Sequence, residues 1–239
     1  MIKSFKEEVF LYSIDLIFMK QWVKGLLFKP KGPNKILFGI ASGMRVNYGT
    51  ENRTLHLLGL YETEIHSILK KGMNASDVLI DIGANDGYYA LAFCKNQDRT
   101  TKVILCEPAE VVSELKNNLL LNNIQESSNV VIETRLVTEK SNSTEVSINE
   151  LVSGSARPLI LMDVDGVEEL ILRGYNFTLN ENKKITWVIE THSKELENNI
   201  RSIFESQGFK VTIIKNAWWR KWIPEKRPLD HNRWLHATK

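Results

Sequence analysis

Val78-Leu79-Ile80-Asp81-Ile82-Gly83-Ala84-Asn85-Asp86-Gly87-Tyr88-Tyr89 is the segment from which the fold can be read. Its first five residues, apolar apart from Asp81, have the composition of a buried parallel strand, and Gly83 to Gly87 is the turn that leaves it. Small residues in such a turn let backbone come close to a ligand, and the helix that follows offers free N–H groups. The spacing is Gly-x-x-x-Gly, with the acid Asp81 at the strand end. It differs from the Gly-x-Gly-x-x-Gly that seats a pyrophosphate. It suits a ligand with a positive amino-acid end and no phosphate.

A second acid lies one βα unit further on, where the apolar run Lys102 to Cys106 closes with Glu107-Pro108. An acid at the end of the second strand can accept both ribose hydroxyls of an adenosine. The plainer alternative is an ordinary Rossmann-like turn with Glu107 as a solvated strand end. Taken together, the phosphate-free glycine turn and Glu107 point to S-adenosylmethionine (SAM) as cofactor.

Strand and helix patterns alternate on both sides of this unit. Strands are expected near Val78–Ile82, Val103–Glu107, Val130–Val137, Leu159–Asp163 and Thr186–Glu190, and helices near Tyr88–Lys95, Ala109–Asn122, Val167–Arg173 and Lys194–Gln207. A further helix from Tyr61 to Lys71 is expected to stop at Gly72. Such alternation implies a parallel α/β sheet covered on both faces. Phe209 to Ile214 and Arg233 to Ala237 are strands with no helix between them, so they should pair antiparallel.

Asp81-Ile82-Gly83-Ala84-Asn85-Asp86-Gly87-Tyr88-Tyr89, Cys106-Glu107-Pro108 and Leu161-Met162-Asp163-Val164-Asp165-Gly166-Val167-Glu168 together resemble the FkbM-type SAM-dependent methyltransferases. Met162 stands for the usual Ile and Asp165 for the usual Glu, differences that bear on the acceptor rather than on SAM. The resemblance implies a Rossmann-like class I methyltransferase fold with a mostly parallel seven-stranded sheet and an antiparallel C-terminal hairpin. It also implies methylation of hydroxyl oxygens, often on sugars. Asp81, Gly83, Ala84, Asn85, Gly87, Glu107, Pro108 and Asp163 would then hold the cofactor. Glu62, which begins the helix ahead of the glycine-turn strand, matches a family Glu near the SAM pocket; it could equally be an acid stabilising a helix N-terminus.

Ligands of open α/β sheets bind beyond the carboxyl ends of the strands, so reacting groups should lie there. Asp163 closes the fourth strand, Asp165 follows it, and Glu190-Thr191-His192 closes the fifth. A neutral imidazole can take an acceptor's hydroxyl proton while a carboxylate orients it, so His192 with Asp163 or Glu190 is the expected catalytic set. The same Asp163, Asp165, Glu190 and His192 would also suit an oxygen-rich divalent site. Ligand number and geometry are not visible in sequence, and the reading assigns no metal. Trp218-Trp219-Arg220-Lys221-Trp222 and His231-Asn232-Arg233-Trp234 form a basic aromatic tail suited to stacking on a sugar. Trp218, Trp219, Trp222, Arg233 and Asp165 are therefore the expected acceptor contacts.

Composition limits the rest. The 239 residues are 43% hydrophobic and 25% charged, with 31 basic and 29 acidic side chains for a net +2, so no strong field calls for nucleic acid. Cys94 and Cys106 read as packed thiols in a reducing cytoplasm. Phe5 to Phe28 is amphipathic but interrupted by charge, and is expected to lie on the domain, on a second copy or peripherally on a membrane. The chain thus divides into a 1–60 extension and a 61–239 SAM-dependent methyltransferase domain. The function expected is O-methylation of a hydroxylated, carbohydrate-containing acceptor such as a glycan or glycolipid. A catalytically silent SAM-binding scaffold, and a methyltransferase for another small molecule or a nucleic acid, are the alternatives.

Overall fold

The computed structural model describes residues 25–49, 53–96, 101–221, 231 and 233–239; the expected N-terminal helix as far as residue 24, and Trp222, lie outside them. In chain order the strands are β1 (Asn34–Lys35), β2 (Arg45–Val46), β3 (Val78–Ile82), β4 (Lys102–Cys106), β5 (Val130–Glu133), β6 (Leu136–Thr138), β7 (Glu145–Ser147), β8 (Pro158–Met162), β9 (Thr186–Thr191), β10 (Lys210–Ile214) and β11 (Arg233–Thr238). Seven of them form one sheet in the order β10-β11-β9-β8-β3-β4-β5. Its parallel part runs from β9 to β5, and β11 lies antiparallel between β9 and β10. This is the expected mostly parallel seven-stranded sheet with an antiparallel C-terminal hairpin.

The strands read as unbroken apolar runs because both faces are covered. Side chains alternate across the sheet. Leu79, Leu105, Leu161 and Val188 pack on one face with Leu91, Phe93 and Leu115. Ile80, Ile104, Met162 and Ile189 pack on the other with Ile171, Ile200 and Phe204. The helices are α1 (Thr54–Leu58), α2 (Thr63–Ala75), α3 (Tyr88–Asn96), α4 (Ser113–Leu120), α5 (Ile148–Leu151), α6 (Glu168–Arg173) and α7 (Lys194–Ser206), of which α3, α4, α6 and α7 supply the residues just named. Ile36, Ile40, Val46 and Leu57, from the segment ahead of residue 60, belong to the first of these two clusters.

Two local expectations are corrected. Gly72 does not end its helix, since α2 continues to Ala75. A Cβ on Gly72 would stand 3.0 Å from both Leu159 methyls, so this glycine lets the helix lie close on β8. Nor is Val130 to Val137 one strand. Arg135 turns back on Glu133, with its Nε and one terminal nitrogen donating to the carboxylate at 3.0 and 2.7 Å. The chain then leaves the sheet, and β6 pairs with β7 instead. The departing residues Arg135, Leu136 and Val137 line a cavity shared with Glu107.

Asp77 fastens the entry to β3. Its carboxylate accepts from the Ser155 hydroxyl and from the Ala156 and Arg157 N–H groups ahead of β8. Burial opposes the charge, but these donors outweigh it and hold the Asp77 carboxyl below its ordinary range. A depressed carboxyl stabilises the fold fully above its unfolded value of about 3.9 and loses that contribution as pH falls through the folded value. Asp77→Asn should therefore cost about 1–3 kcal/mol at pH 7. Urea unfolding at pH 7 and at pH 3 should show the gap between wild type and variant shrinking in acid; a gap independent of pH would remove the carboxylate from this role.

Candidate active site

The carboxyl ends of β3, β4, β8 and β9 converge, and each carries one part of the site. The turn after β3 is set by backbone geometry. Gly83 has φ +84°, and a Cβ there would sit 1.9 Å from the Asp163 carbonyl oxygen, so only glycine fits. Its N–H and that of Ala84 donate to the Cys106 carbonyl at 3.0 and 3.1 Å, and the Asp163 N–H donates to the Ile82 carbonyl. Asn85 takes φ +49°, and Gly87 at +91° begins the return into α3. Asp86 is locked by an ion pair with Arg53 at 3.0 Å, and its carbonyl accepts from the Asn118 amide.

This turn presents the Asn85 N–H to Glu107, whose Oε2 accepts at 2.7 Å. Burial outweighs that bond and raises the Glu107 carboxyl, as does the nearby Asp86. Both Asn85 and Glu107 line a cavity of about 250 Å³. Pro108, Leu136, Val137, Val164 and Ile171 supply its apolar walls. Of these, only Pro108 was expected from the sequence. Leu136 and Val137 were hidden in a run read as one strand, where the Glu133/Arg135 charge pair was the available sign of a break. Asp81, behind the turn, is buried with Oδ2 lacking a hydrogen-bond partner. Burial, then Glu107 and Asp86, raise its carboxyl to about 8.

A second group of acids stands at the β8 and β9 ends. Glu62, the residue before α2, is buried at φ +46°; its side chain makes no cap bond and accepts from the Tyr89 hydroxyl at 2.7 Å. His192 lies at the centre. Its Nδ1 is 3.0 Å from Glu168 Oε1, and its Nε2 is 3.5 Å from Asp163, 3.6 Å from Asp165 and 3.5 Å from Glu190. The Glu168 bond and then the Glu190 carboxylate hold the imidazole pKa well above the usual histidine range. Burial, with Glu190 and Glu62, pushes Asp163 up as well. A general base needs a neutral ring, and these neighbours favour the charged one. A base role for His192 would therefore require the ring to lose a proton first. Glu168 was not foreseen as a site residue, because an acid in the first turn of a helix ordinarily reads as a dipole partner.

The aromatic tail divides. Trp218 is 77% exposed and Trp219 partly buried in a 3₁₀ turn spanning Trp218–Lys221. Trp234 is buried with its ring 6.4 Å from that of Tyr89. Arg233 turns to α7, where Glu197 accepts from it at 2.6 Å and also meets Lys194 and His231. It is therefore engaged in holding β11 to that helix.

No protein-family model and no curated protein match the chain. Solved structures do. A methyltransferase FkbM from Methylobacillus flagellatus KT aligns at 17% identity and TM-score 0.53, over 69% of this chain and 44% of that one. The methyltransferase domain of bacterial CtHen1 aligns at 14% identity and TM-score 0.50, over 79% and 100%. A SAM-dependent O-methyltransferase from Thermotoga maritima aligns at 15% identity and TM-score 0.48, the chain covering 63% of its length. The first two establish a methyltransferase-like α/β fold.

The Gly83 contact is the most exacting of the site. Gly83→Ala should destabilise by more than about 2 kcal/mol, from the positive φ and the displaced Asp163 carbonyl together. A thermal melt at the wild-type temperature would show that the ends of β3 and β8 can separate freely.

Proposed function

We propose that this protein is a SAM-dependent O-methyltransferase of the FkbM type, acting on a hydroxyl of a carbohydrate-containing acceptor. The observation that carries the cofactor is the Glu107 carboxylate, held by the Asn85 N–H at the mouth of an apolar-walled cavity. The residues fit the cofactor: a glycine turn whose Gly83 and Asn85 line the cavity, an acid for the ribose, and a buried, unpartnered Asp81 oxygen suited to a positive group. SAM supplies a methyl group on a positive sulfonium. Asp81, Gly83, Ala84, Asn85 and Gly87 would face its methionine portion, and Glu107 and Pro108 its ribose. Glu62 and Asp163 would border it on the acceptor side.

The chain's own work is then alignment, exclusion of water and acceptance of a hydroxyl proton. Asp163, Glu190 and His192 form the reacting end. Asp165, 87% exposed beside them, is available to an acceptor hydroxyl. Exposed Trp218 supports a sugar ring as the acceptor's shape, with Trp219 and Trp222 as further contacts; Arg233, tied to Glu197, has the weakest claim. No helix among the described residues is long and apolar enough to cross a membrane. A cytoplasmic enzyme, meeting a glycolipid surface or a second copy through its N-terminal segment, completes the proposal.

Titration calorimetry should show SAM and S-adenosylhomocysteine binding, and Glu107→Ala should weaken SAM at least tenfold, since a hydrogen bond to a charged group is worth about 1.5–3 kcal/mol. Unchanged affinity would remove Glu107 from the site, and failure of wild type to bind either molecule would sink the cofactor. Labelled methyl transfer into sugar extracts tests the acceptor. SAM binding without turnover on any hydroxylated compound would favour a silent SAM-binding protein.

A further inference from the structure

Among the described residues, one set of side chains brings metal-ligating atoms close enough to share an ion: Asp163, Asp165 and His192, whose ligand atoms lie within 4.8 Å of one another. We infer that these three residues hold an oxygen-preferring divalent cation, Mn²⁺ or Mg²⁺, at the acceptor end of the cavity. Glu190 stands beside them as a fourth oxygen donor.

The orientation of His192 carries the argument. Glu168 is fully buried, and its carboxylate, which can only accept, lies 3.0 Å from Nδ1. An Nδ1–H is thereby held on Glu168, and Nε2 is turned toward the other carboxylates, where binding an ion would displace any proton it carries. A carboxylate behind the far nitrogen is the usual support of a metal-bound histidine, fixing both tautomer and ring direction. Nε2 itself is buried and has no hydrogen-bond partner. It faces oxygens of Asp163, Asp165 and Glu190 at 3.5, 3.6 and 3.5 Å. Those separations are too long for good hydrogen bonds. They are wider by about 0.5 Å than the roughly 3.0 Å between adjacent ligands of an octahedral ion bonded at about 2.1 Å, so the side chains would close by that much around an ion.

The donor set selects the class of metal. No thiol lies in it, and carboxylate oxygens with a single imidazole favour Mn²⁺ or Mg²⁺ over thiophilic ions. The place of the set selects a role. Asp163 and Asp165 both line the cavity that holds Glu107, and Asp165 stands out into solvent. Three or four protein ligands leave coordination positions on the open side. Resting on the methyltransferase reading, those positions suit an acceptor with two adjacent hydroxyls, as on a sugar ring, one of which the ion would acidify.

The test uses the whole chain without SAM. Electron paramagnetic resonance should show one bound Mn²⁺, displaced by millimolar Mg²⁺. Asp165→Asn keeps a residue that tolerates the positive φ of this position and alters an exposed side chain, so it should fold as wild type and bind Mn²⁺ at least tenfold more weakly. Asp163→Asn should do the same. Absence of Mn²⁺ binding to wild type at millimolar concentration would overturn the site, as would wild-type affinity in both variants or binding of Zn²⁺ alone. SAM calorimetry on the same preparations separates the two proposals: Mn²⁺ binding without SAM binding leaves the cation site standing and removes the cofactor, and the reverse removes the site.

Discussion

Residue 83 has no room for a side chain because the Asp163 carbonyl oxygen occupies the place a Cβ would take. Much of the site follows from that steric exclusion. It brings the ends of β3 and β8 together, so the glycine turn and the Asp163–Gly166 loop face one cavity. With β3 pinned on this side, the Gly83 and Ala84 N–H groups reach the Cys106 carbonyl, which aligns the end of β4 and places Glu107 under Asn85. A single backbone approach thus sets the relative positions of the acids on three strands. Hydrogen bonds then hold what sterics have arranged.

Acids predominate around the cavity, with Arg135 among its lining. Asp81, Glu107, Asp163, Glu190, Glu62 and Glu168 approach it or its acceptor end, while Arg53 and Arg135 are engaged by Asp86 and by Glu133 with Glu150. Burying carboxylates without a counter-charge is costly, and a protein offsets it by protonation or by a cation. A sulfonium, an ammonium and a divalent ion are three positive groups matched to such a lining.

What the sequence disclosed, and what it hid, follows from how local each determinant is. Val78–Ile82 was legible to the residue because a doubly covered strand needs an unbroken apolar run bounded by glycine. Glu107 was legible because it follows such a run directly. The break at Arg135 was not, since Val130 to Val137 stays β-prone and only a side chain curling onto Glu133 diverts it. Gly72 looked like a stop and instead admits Leu159 from 87 residues away, a contact no local pattern contains. Glu168 looked like a helix-start acid; its role depends on His192, placed beside it by a different strand. Trp218 and Trp234 share one aromatic tail, yet Trp218 lies exposed in a 3₁₀ turn while Trp234 is packed in β11 beside Tyr89.

The position of β11 also bears on how the molecule is made. β10 precedes it in the chain but, among the described residues, pairs with the sheet only through it, lying at the outer edge beside β11. Residues 210–214 find their hydrogen-bonding edge on residues 233–238, which themselves take the place beside β9, so β10 joins the sheet with β11 or after it. The last two strands thus stand in the reverse of their chain order, and removing residues 233–238 would cost the sheet both of them.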